Sequence, residues 1–288
     1  PLIGEASRTS DSVKYSETTY RVALNYNISD SAMIYGSFNT GLKSGGFNSP
    51  GYSIAPPLDP EEIDAIEIGA KWSTESGATF EMAFFDYEWE NLQVAVIDTA
   101  GGGLKQESAA AAESNGFEFS ANFAPTESLS LGLSGLYLDA EYSNYSASTF
   151  VPAYLTTPGA RGFNSGVGED LSGYQTANSP ELTLSGYITY RFNIGEGVDA
   201  EASGMVSHSD EYDMIAAAGG AARLDRQDSL TMVNLNFTVS HRDGWAADFY
   251  VNNALDEEWH FELQTQADGT YGSPGLPRMA GARIRYDF

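Results

Sequence analysis

The sequence predicts an all-β fold, a transmembrane antiparallel β-barrel of which about eleven strands are present. Three observations carry this reading. At the end of the chain Ala280, Ala282, Ile284, Tyr286 and Phe288 alternate with Gly281, Arg283, Arg285 and Asp287, so an extended strand there has one apolar and one charged face. A soluble sheet shares that period of two, but an aromatic terminus opposite three charges suits a strand between lipid and a wet lumen. The connections between strands then alternate in length, short and long in turn, as barrel turns and loops do. Finally, the longest Ala/Gly-rich run, Met214 to Ala222, has nine residues, and a membrane helix needs about 20, so any crossing is made by strands.

Taken in order, residues 1–14 read as a loop or frayed terminus. Tyr20, Val22, Leu24, Tyr26 and Ile28 then oppose Arg21, Ala23, Asn25 and Asn27, the same two-faced pattern as the end of the chain. Ser29-Asp30-Ser31 turns into a second strand, Ala32 to Leu42, whose facing is ambiguous because Ile34 and Tyr35 are both bulky; a Gly/Ser/Pro-rich loop follows from Ser44 to Pro60. The third strand sets Ile66, Ile68, Ala70 and Trp72 against Ala65, Glu67, Gly69 and Lys71. After Thr74 to Gly77 comes a long fourth strand, Phe80 to Val96, whose apolar face switches near Phe84-Phe85, which predicts a bulge there.

Past a loop at Gly101 to Gly103, the fifth strand opposes Phe117, Phe119, Ala121 and Phe123 to Glu118, Ser120 and Asn122. Its start, Ala109 to Ala112, is open to a helical reading, although four alanines are too few to nucleate a helix alone. Leu129, Leu131 and Leu133 begin the sixth strand, which runs toward Tyr142; Ser143 to Ser179 is then the longest irregular segment. Leu182 to Phe192, Val198 to Val206, Val233 to Val239 and Trp245 to Val251 are further two-faced strands, with loops at about Asp213 to Gln227 and Gln264 to Pro274 before the last strand. On the clear strands the basic residues Arg21, Lys71, Arg191, Arg283 and Arg285 all fall on the polar face.

Composition narrows the function. With 17 Tyr and 15 Phe the chain is rich in the aromatics that form interfacial girdles, which makes membrane lipid a partner. A net charge of -26, with 14 Lys and Arg in all, excludes nucleic acid, whose phosphates need clustered cations. The absence of cysteine removes disulfide, thiolate and zinc-finger chemistry. The chain starts at Pro1 without the regions of a signal peptide and is expected to be processed or truncated. We expect one domain over residues 1–288.

The last fourteen residues, Gly275-Leu276-Pro277-Arg278-Met279-Ala280-Gly281-Ala282-Arg283-Ile284-Arg285-Tyr286-Asp287-Phe288, resemble the closing strand of TonB-dependent outer-membrane receptors. Asn39-Thr40-Gly41-Leu42-Lys43-Ser44-Gly45-Gly46-Phe47-Asn48 and Leu58-Asp59-Pro60-Glu61, leading to Ile66-Glu67-Ile68-Gly69-Ala70-Lys71, are similar to motifs of the same family. So are Ala112-Glu113-Ser114-Asn115-Gly116-Phe117-Glu118 and Val251-Asn252-Asn253-Ala254-Leu255-Asp256, and the resemblance runs from Tyr20 onward. It implies a bacterial outer-membrane location and active uptake of a ferric siderophore or another metal chelate; other members take cobalamin or carbohydrates. An odd antiparallel set cannot close on itself, and large transporters have about 22 strands around a plug, so the chain resembles the C-terminal half of such a barrel without its plug. TonB would act through the missing N-terminal plug region. Ile284, Tyr286 and Phe288 would be the insertion signal read by the barrel-assembly machinery.

Candidate sites are few. His208, His241 and His260 lack metal-ligand spacing, and Ser207 and Ser209 beside His208 point to the opposite strand face, so no catalytic residue, metal or cofactor is expected. Asp210, Glu211 and Asp213, and Glu169-Asp170 elsewhere, suit a cation by residue type, but without fixed spacing a solvated loop explains them better. In the loops Tyr154, Arg161, Phe163 and Tyr174, with Arg223, Arg226 and Tyr271, offer aromatic faces and positive charge to an anionic chelate, although such aromatics occur on every barrel. The rival reading is a passive porin or a structural, adhesive surface barrel; a plug bearing a TonB box upstream of Pro1 separates the two.

Overall fold

The computed structural model describes residues 12–47, 57–98, 103–215, 224–266 and 269–287. Strand formation follows the alternation in the sequence. In chain order the first six strands are β1 (Arg21–Ser29), β2 (Ala32–Lys43), β3 (Glu61–Ser73), β4 (Thr79–Asp98), β5 (Gly103–Thr126) and β6 (Leu129–Asn144). A hairpin of β7 (Ser146–Pro152) and β8 (Phe163–Asp170) follows, with one helical turn, α1 (Ala153–Thr156), between them. Next come β9 (Leu182–Gly195), β10 (Val198–Ser209), the short pair β11 (Tyr212–Asp213) and β12 (Arg226–Gln227), then β13 (Leu230–His241) and β14 (Trp245–Asn252). The hairpin of β15 (His260–Gln266) and β16 (Gly269–Pro274) precedes the last strand, β17 (Met279–Tyr286).

Eleven strands make one antiparallel sheet in the order β1-β2-β3-β4-β5-β6-β9-β10-β13-β14-β17, so each wall strand pairs with the next wall strand in sequence. The turns after β1, β3, β5, β9 and β13 are short and lie at one end; all three accessory hairpins insert at the other. This is a barrel wall with edges at β1 and β17. On β17 Ile284 is 82% exposed, and on β1 Leu24 is 76% exposed, as residues on an unclosed lipid-facing wall are.

The register fixes which face is which. Leu24, Gly36, Ile68, Phe84, Phe117, Tyr137 and Leu182 stand side by side on the outer, apolar face. One residue along, Asn25, Tyr35, Gly69, Ala83, Glu118, Leu136 and Thr183 form the inner row. The ambiguity of β2 is thereby resolved, with Ile34 outward and Tyr35 inward. Arg21, Lys71, Arg191, Arg283 and Arg285 all belong to the inner set, where Lys71 pairs with Glu81 at 2.8 Å and Arg191 with Glu201 at 2.7 Å.

Three expectations are corrected. No bulge occurs at Phe84-Phe85: pairing of β3 with β4 is unbroken from Glu62 to Ser73, Phe84 simply faces out and Phe85 in. The slip lies instead between Trp89 and Leu92, where Asn91 adopts a positive φ of 54° that asparagine tolerates better than most residues. Ala109 to Ala112 lie within β5, as their place at the start of the fifth strand implied. The segment Ser143 to Ser179 is not irregular, since it holds the β7–β8 hairpin, and the Gln264 to Pro274 loop lies largely within the β15–β16 hairpin.

Inner tyrosines lie across neighbouring strands where glycine leaves room. A Cβ at Gly69 would collide with the Tyr35 ring, and one at Gly132 with the Tyr187 ring. Gly132→Ala is therefore expected to cost about 1–3 kcal/mol through overpacking, and much less in a Tyr187→Leu background. A double-mutant cycle on unfolding in lipid vesicles measures this, and additive losses would dismiss the ring-over-glycine contact.

Candidate functional site

The wall changes character at one level. On the outer face Ile66 gives way to Asp64, Phe84 to Asp86 and Tyr137 to Asp139, which marks where β3, β4 and β6 leave the apolar band. From Trp72 to Ile66 the band spans four outward positions, about 20 Å along the strand at a rise of about 3.3 Å per residue. β4 and β5 continue beyond it to Asp98 and from Gly103. The loops attached there build the candidate site.

The inner side of this extension carries its own core. Inward-facing Trp89, Ala112 and Tyr142 meet Ala110, Tyr145 and Leu171, with Leu92, Val94 and Tyr174 packed at the margin. The Tyr142 and Tyr145 rings are 4.7 Å apart, and burial, ahead of any charge effect, pushes the Tyr145 phenol well above its ordinary pKa. At the end of β8, the Ser172 hydroxyl and then the Ser172 N–H, which donates to Asp170 Oδ1 at 3.0 Å, hold the Asp170 carboxyl below the usual range. The chain then pairs with the end of β6, with Gly173 N–H donating to Tyr142 O at 2.7 Å and Thr176 N–H to Ala140 O at 3.0 Å. Asn178 N–H continues the ladder to Asp213 O at 2.8 Å, linking β6 to the β11–β12 hairpin.

A cavity of about 650 Å³ opens beside this ladder, and it brings together two of the loop candidates, Tyr174 and Arg226. Five carboxylates line it, those of Asp139, Glu141, Glu181, Asp210 and Glu211. The Arg226 guanidinium is engaged by Glu211 and by Asp213, the latter at 3.2 Å. Tyr154, on α1, and Arg161 are exposed together in the connection between β7 and β8, and Tyr271 is exposed on β16, so the structure distributes these three away from the cavity. Phe163 opens β8 and its side chain lies outside the described set, as do Arg223 and Phe288 entirely. Ile284 and Tyr286 face outward on β17, Tyr286 opposite Trp245.

The sequence reading missed the inner wall. Glu67 accepts hydrogen bonds from the Tyr35 hydroxyl at 2.6 Å and the Tyr87 hydroxyl at 3.4 Å. Beside it a cavity of about 330 Å³ is lined by Tyr35, Lys71, Glu81 and Glu118 together with Ser134 and Thr183. The available signal was glutamate alternating with isoleucine in a strand: a charge inside a membrane wall must face water or protein. Gln93 was also missed; its side-chain amide donates to Ser44 O at 3.1 Å and Asp59 O at 3.2 Å, tying the loop after β2 to β4.

The histidines stay apart. His208 meets Thr231, its cross-strand partner, at 2.8 Å and Asp210 at 3.3 Å. His241 stacks on Trp245, and the His260 N–H bonds to Gln227. Among the described residues no group of three or more His, Cys, Asp or Glu is placed to hold a metal ion.

The family model "TonB dependent receptor-like, beta-barrel" matches residues 4–254. The ferric yersiniabactin uptake receptor FyuA of Yersinia pestis superposes with a TM-score of 0.72 at 16% identity, over 93% of this chain and 37% of that one. The siderophore receptor PiuA of Acinetobacter baumannii does so at 0.66 and 19% identity, over 92% of this chain and 35% of that one. The ferripyoverdine receptor of Pseudomonas aeruginosa gives 0.60 at 17% identity, over 93% and 32%. The chain thus spans about a third of the length of these receptors. No curated protein matches it.

Proposed function

Because this chain belongs to the TonB-dependent receptor family, as a stretch of its outer-membrane β-barrel, we propose that it forms the C-terminal wall of an active receptor for a ferric siderophore or another metal chelate, powered through TonB. The observation that supports uptake over passive diffusion is the folded rim. Among the described residues, the β7–β8 hairpin and the segment after it pack on inward-facing Trp89, Ala112 and Tyr142, which builds a surface on the inner side of the wall above the apolar band. Barrel closure is assigned to further strands pairing with β1 and β17, and plug engagement to the lumen-facing Glu67 and Glu118. The outer face of β17, with Ile284 and Tyr286, is assigned to the barrel-assembly machinery. A crosslinker at Tyr286 that captures no component of that machinery during biogenesis would remove that partner.

The test uses the full-length receptor in cells. Radioiron uptake from a panel of hydroxamate and catecholate chelates is expected to vanish without TonB, and TonB-independent, size-limited entry of unrelated solutes would establish the porin reading instead. Removing residues 153–162, which carry the exposed Tyr154 and Arg161, should weaken binding of the transported chelate about tenfold, or ~1.4 kcal/mol, with the folded barrel unchanged in amount. Undiminished affinity in that folded variant would show that the tip of this hairpin does not touch the ligand.

A further inference from the structure

The hairpins β11–β12 and β15–β16 leave different wall strands and meet above the apolar band. Three contacts join them. The Gln227 side-chain oxygen accepts from the His260 N–H at 2.9 Å, the Met214 sulfur accepts from the Leu263 N–H at 3.0 Å, and the Asp225 carboxyl bonds to the Thr265 hydroxyl. Asp225 is 1% exposed and Thr265 5%. The second carboxyl oxygen of Asp225, Oδ2, is buried without a hydrogen-bond partner among the described residues.

That oxygen decides the protonation state the contact favours. An ionised carboxylate is acceptor-only and loses several hydration bonds on burial, so an unpartnered oxygen leaves much of its charge uncompensated. Among the described residues no cation relieves it, since Arg226, on the same hairpin, is committed to Asp213 and Glu211. Asp213, also 1% exposed, adds a like charge nearby. The Thr265 hydroxyl donates to Asp225 Oδ1 when the carboxyl is ionised; in the neutral acid the same contact reverses, Oδ1–H donating to the Thr265 hydroxyl and that hydroxyl to Thr270 Oγ1, 3.0 Å away. The chain of donors then runs one way, and Oδ2 remains only a carbonyl oxygen, a weak acceptor that is cheap to leave alone.

We propose that Asp225 is a proton-operated latch: as the neutral acid it ties β12 to β15, and its ionisation loosens the two loop hairpins from each other. This goes beyond the receptor reading and stands without it. Burial is the main cause holding the Asp225 carboxyl above its ordinary pKa, Asp213 adds to it, and the Thr265 bonds oppose it. The sign follows. A carboxyl whose pKa is raised by docking takes up a proton on docking, so the latch is strongest below the ordinary Asp pKa of about 4 and weakens as pH rises through Asp225's own docked value. Among the described residues the other charged groups on the packed elements are Arg226, Glu211 and Asp213 on the β11–β12 side and His260 and Glu262 on β15, and of these groups Asp225 alone has an unsatisfied buried oxygen.

Hydrogen exchange of the amides of residues 225–227 and 260–266, in the full-length receptor and corrected for intrinsic rates, tests the latch from about pH 4 to pH 7. Protection is expected to fall with rising pH, by at most about tenfold per unit, the slope a single proton allows. Asp225→Asn, whose amide can replace the donated proton, should hold protection flat over that range; Thr265→Val, which removes the acceptor, should lower it at acid pH and also abolish the slope. Heat-modifiability of the barrel reports that each variant is folded. A flat parent profile, or an undiminished slope in both variants, overturns the proposal. So does protection at neutral pH that calcium ions raise and a chelator removes, since a cation rather than a proton would then satisfy Oδ2.

Discussion

Replacing Phe119 by arginine is expected to lower the stability of the barrel by about 2–4 kcal/mol, the cost of a cation near the bilayer midplane, while the same change at Asn122 costs far less. The two residues lie three apart on β5 and, by the period of two, on opposite faces. Phe119 stands between Met82 and Gly135 in the outer row, its ring 6.0 Å from that of Phe117. It has apolar outward positions to either side along the strand, Phe117 toward the long loops and Ala121 and Phe123 toward the short turns, so an arginine there cannot easily reach water at either end. Asn122 faces the lumen, where its Oδ1 accepts from the Tyr187 hydroxyl at 3.2 Å; arginine there loses one bond and keeps its hydration. Denaturant titrations in vesicles of fixed lipid measure both. Equal losses would mean that the faces of β5 are interchanged.

That contrast also explains what could be read before the structure. β3 was legible because lipid on one side and water on the other force Ile66, Ile68, Ala70 and Trp72 against Glu67 and Lys71. The reading failed at Phe84-Phe85 because the lumen wall admits aromatics too. Phe85 packs beside Tyr87, ring to ring at 4.9 Å, over the strand that carries Glu67, so two adjacent rings looked like a change of face. The true slip is encoded by one asparagine, Asn91, whose backbone conformation leaves no trace in hydrophobicity. Above the band neither face meets lipid, and the Ser-Ala-Ser-Thr pattern of β7 carries no lipid signal, so a hairpin passed for an irregular loop.

The candidate site was less legible for a related reason. Arg226 reads as a free cation in the sequence, but its partners Glu211 and Asp213, 15 and 13 residues away, arrive only when β11 pairs with β12. Tyr174 reads as an exposed ring, yet the ladder from Gly173 to Thr176 sets it against the buried Tyr142 and Leu171. Exposed Tyr154 and Arg161 kept the character that their residue types suggested, because they fall in the connection between two strands and not on a paired face.

The second large effect is expected at Asn253, where Asn253→Ala should cost about 3 kcal/mol. The residue is 2% exposed and holds a positive φ of 50° directly after β14. Its side chain works as a knot: Nδ2 donates to Glu257 O at 2.8 Å and Leu276 O at 3.3 Å, while Oδ1 accepts from Glu257 N–H at 2.9 Å. Its own N–H donates to Asn234 Oδ1 on β13 at 3.0 Å. The turn it shapes places Asp256 to accept from the Arg278 N–H at 3.0 Å and to pair with its guanidinium at 3.2 Å, so the strand entering β17 is fixed from two sides. Alanine leaves buried backbone groups unpaired, about 1–3 kcal/mol, and adds about 1 kcal/mol of left-handed strain. Glycine at the same position removes the strain and keeps the loss, so Asn253→Gly should be milder than Asn253→Ala by roughly 1 kcal/mol. Unfolding in vesicles compares the two, and exchange at the Gly275 N–H, which donates to Trp259 O at 2.6 Å, reports the local effect. If alanine and glycine prove equal, the backbone conformation is not part of the cost; if both are silent, the side-chain bonds do not hold the last loop to the wall.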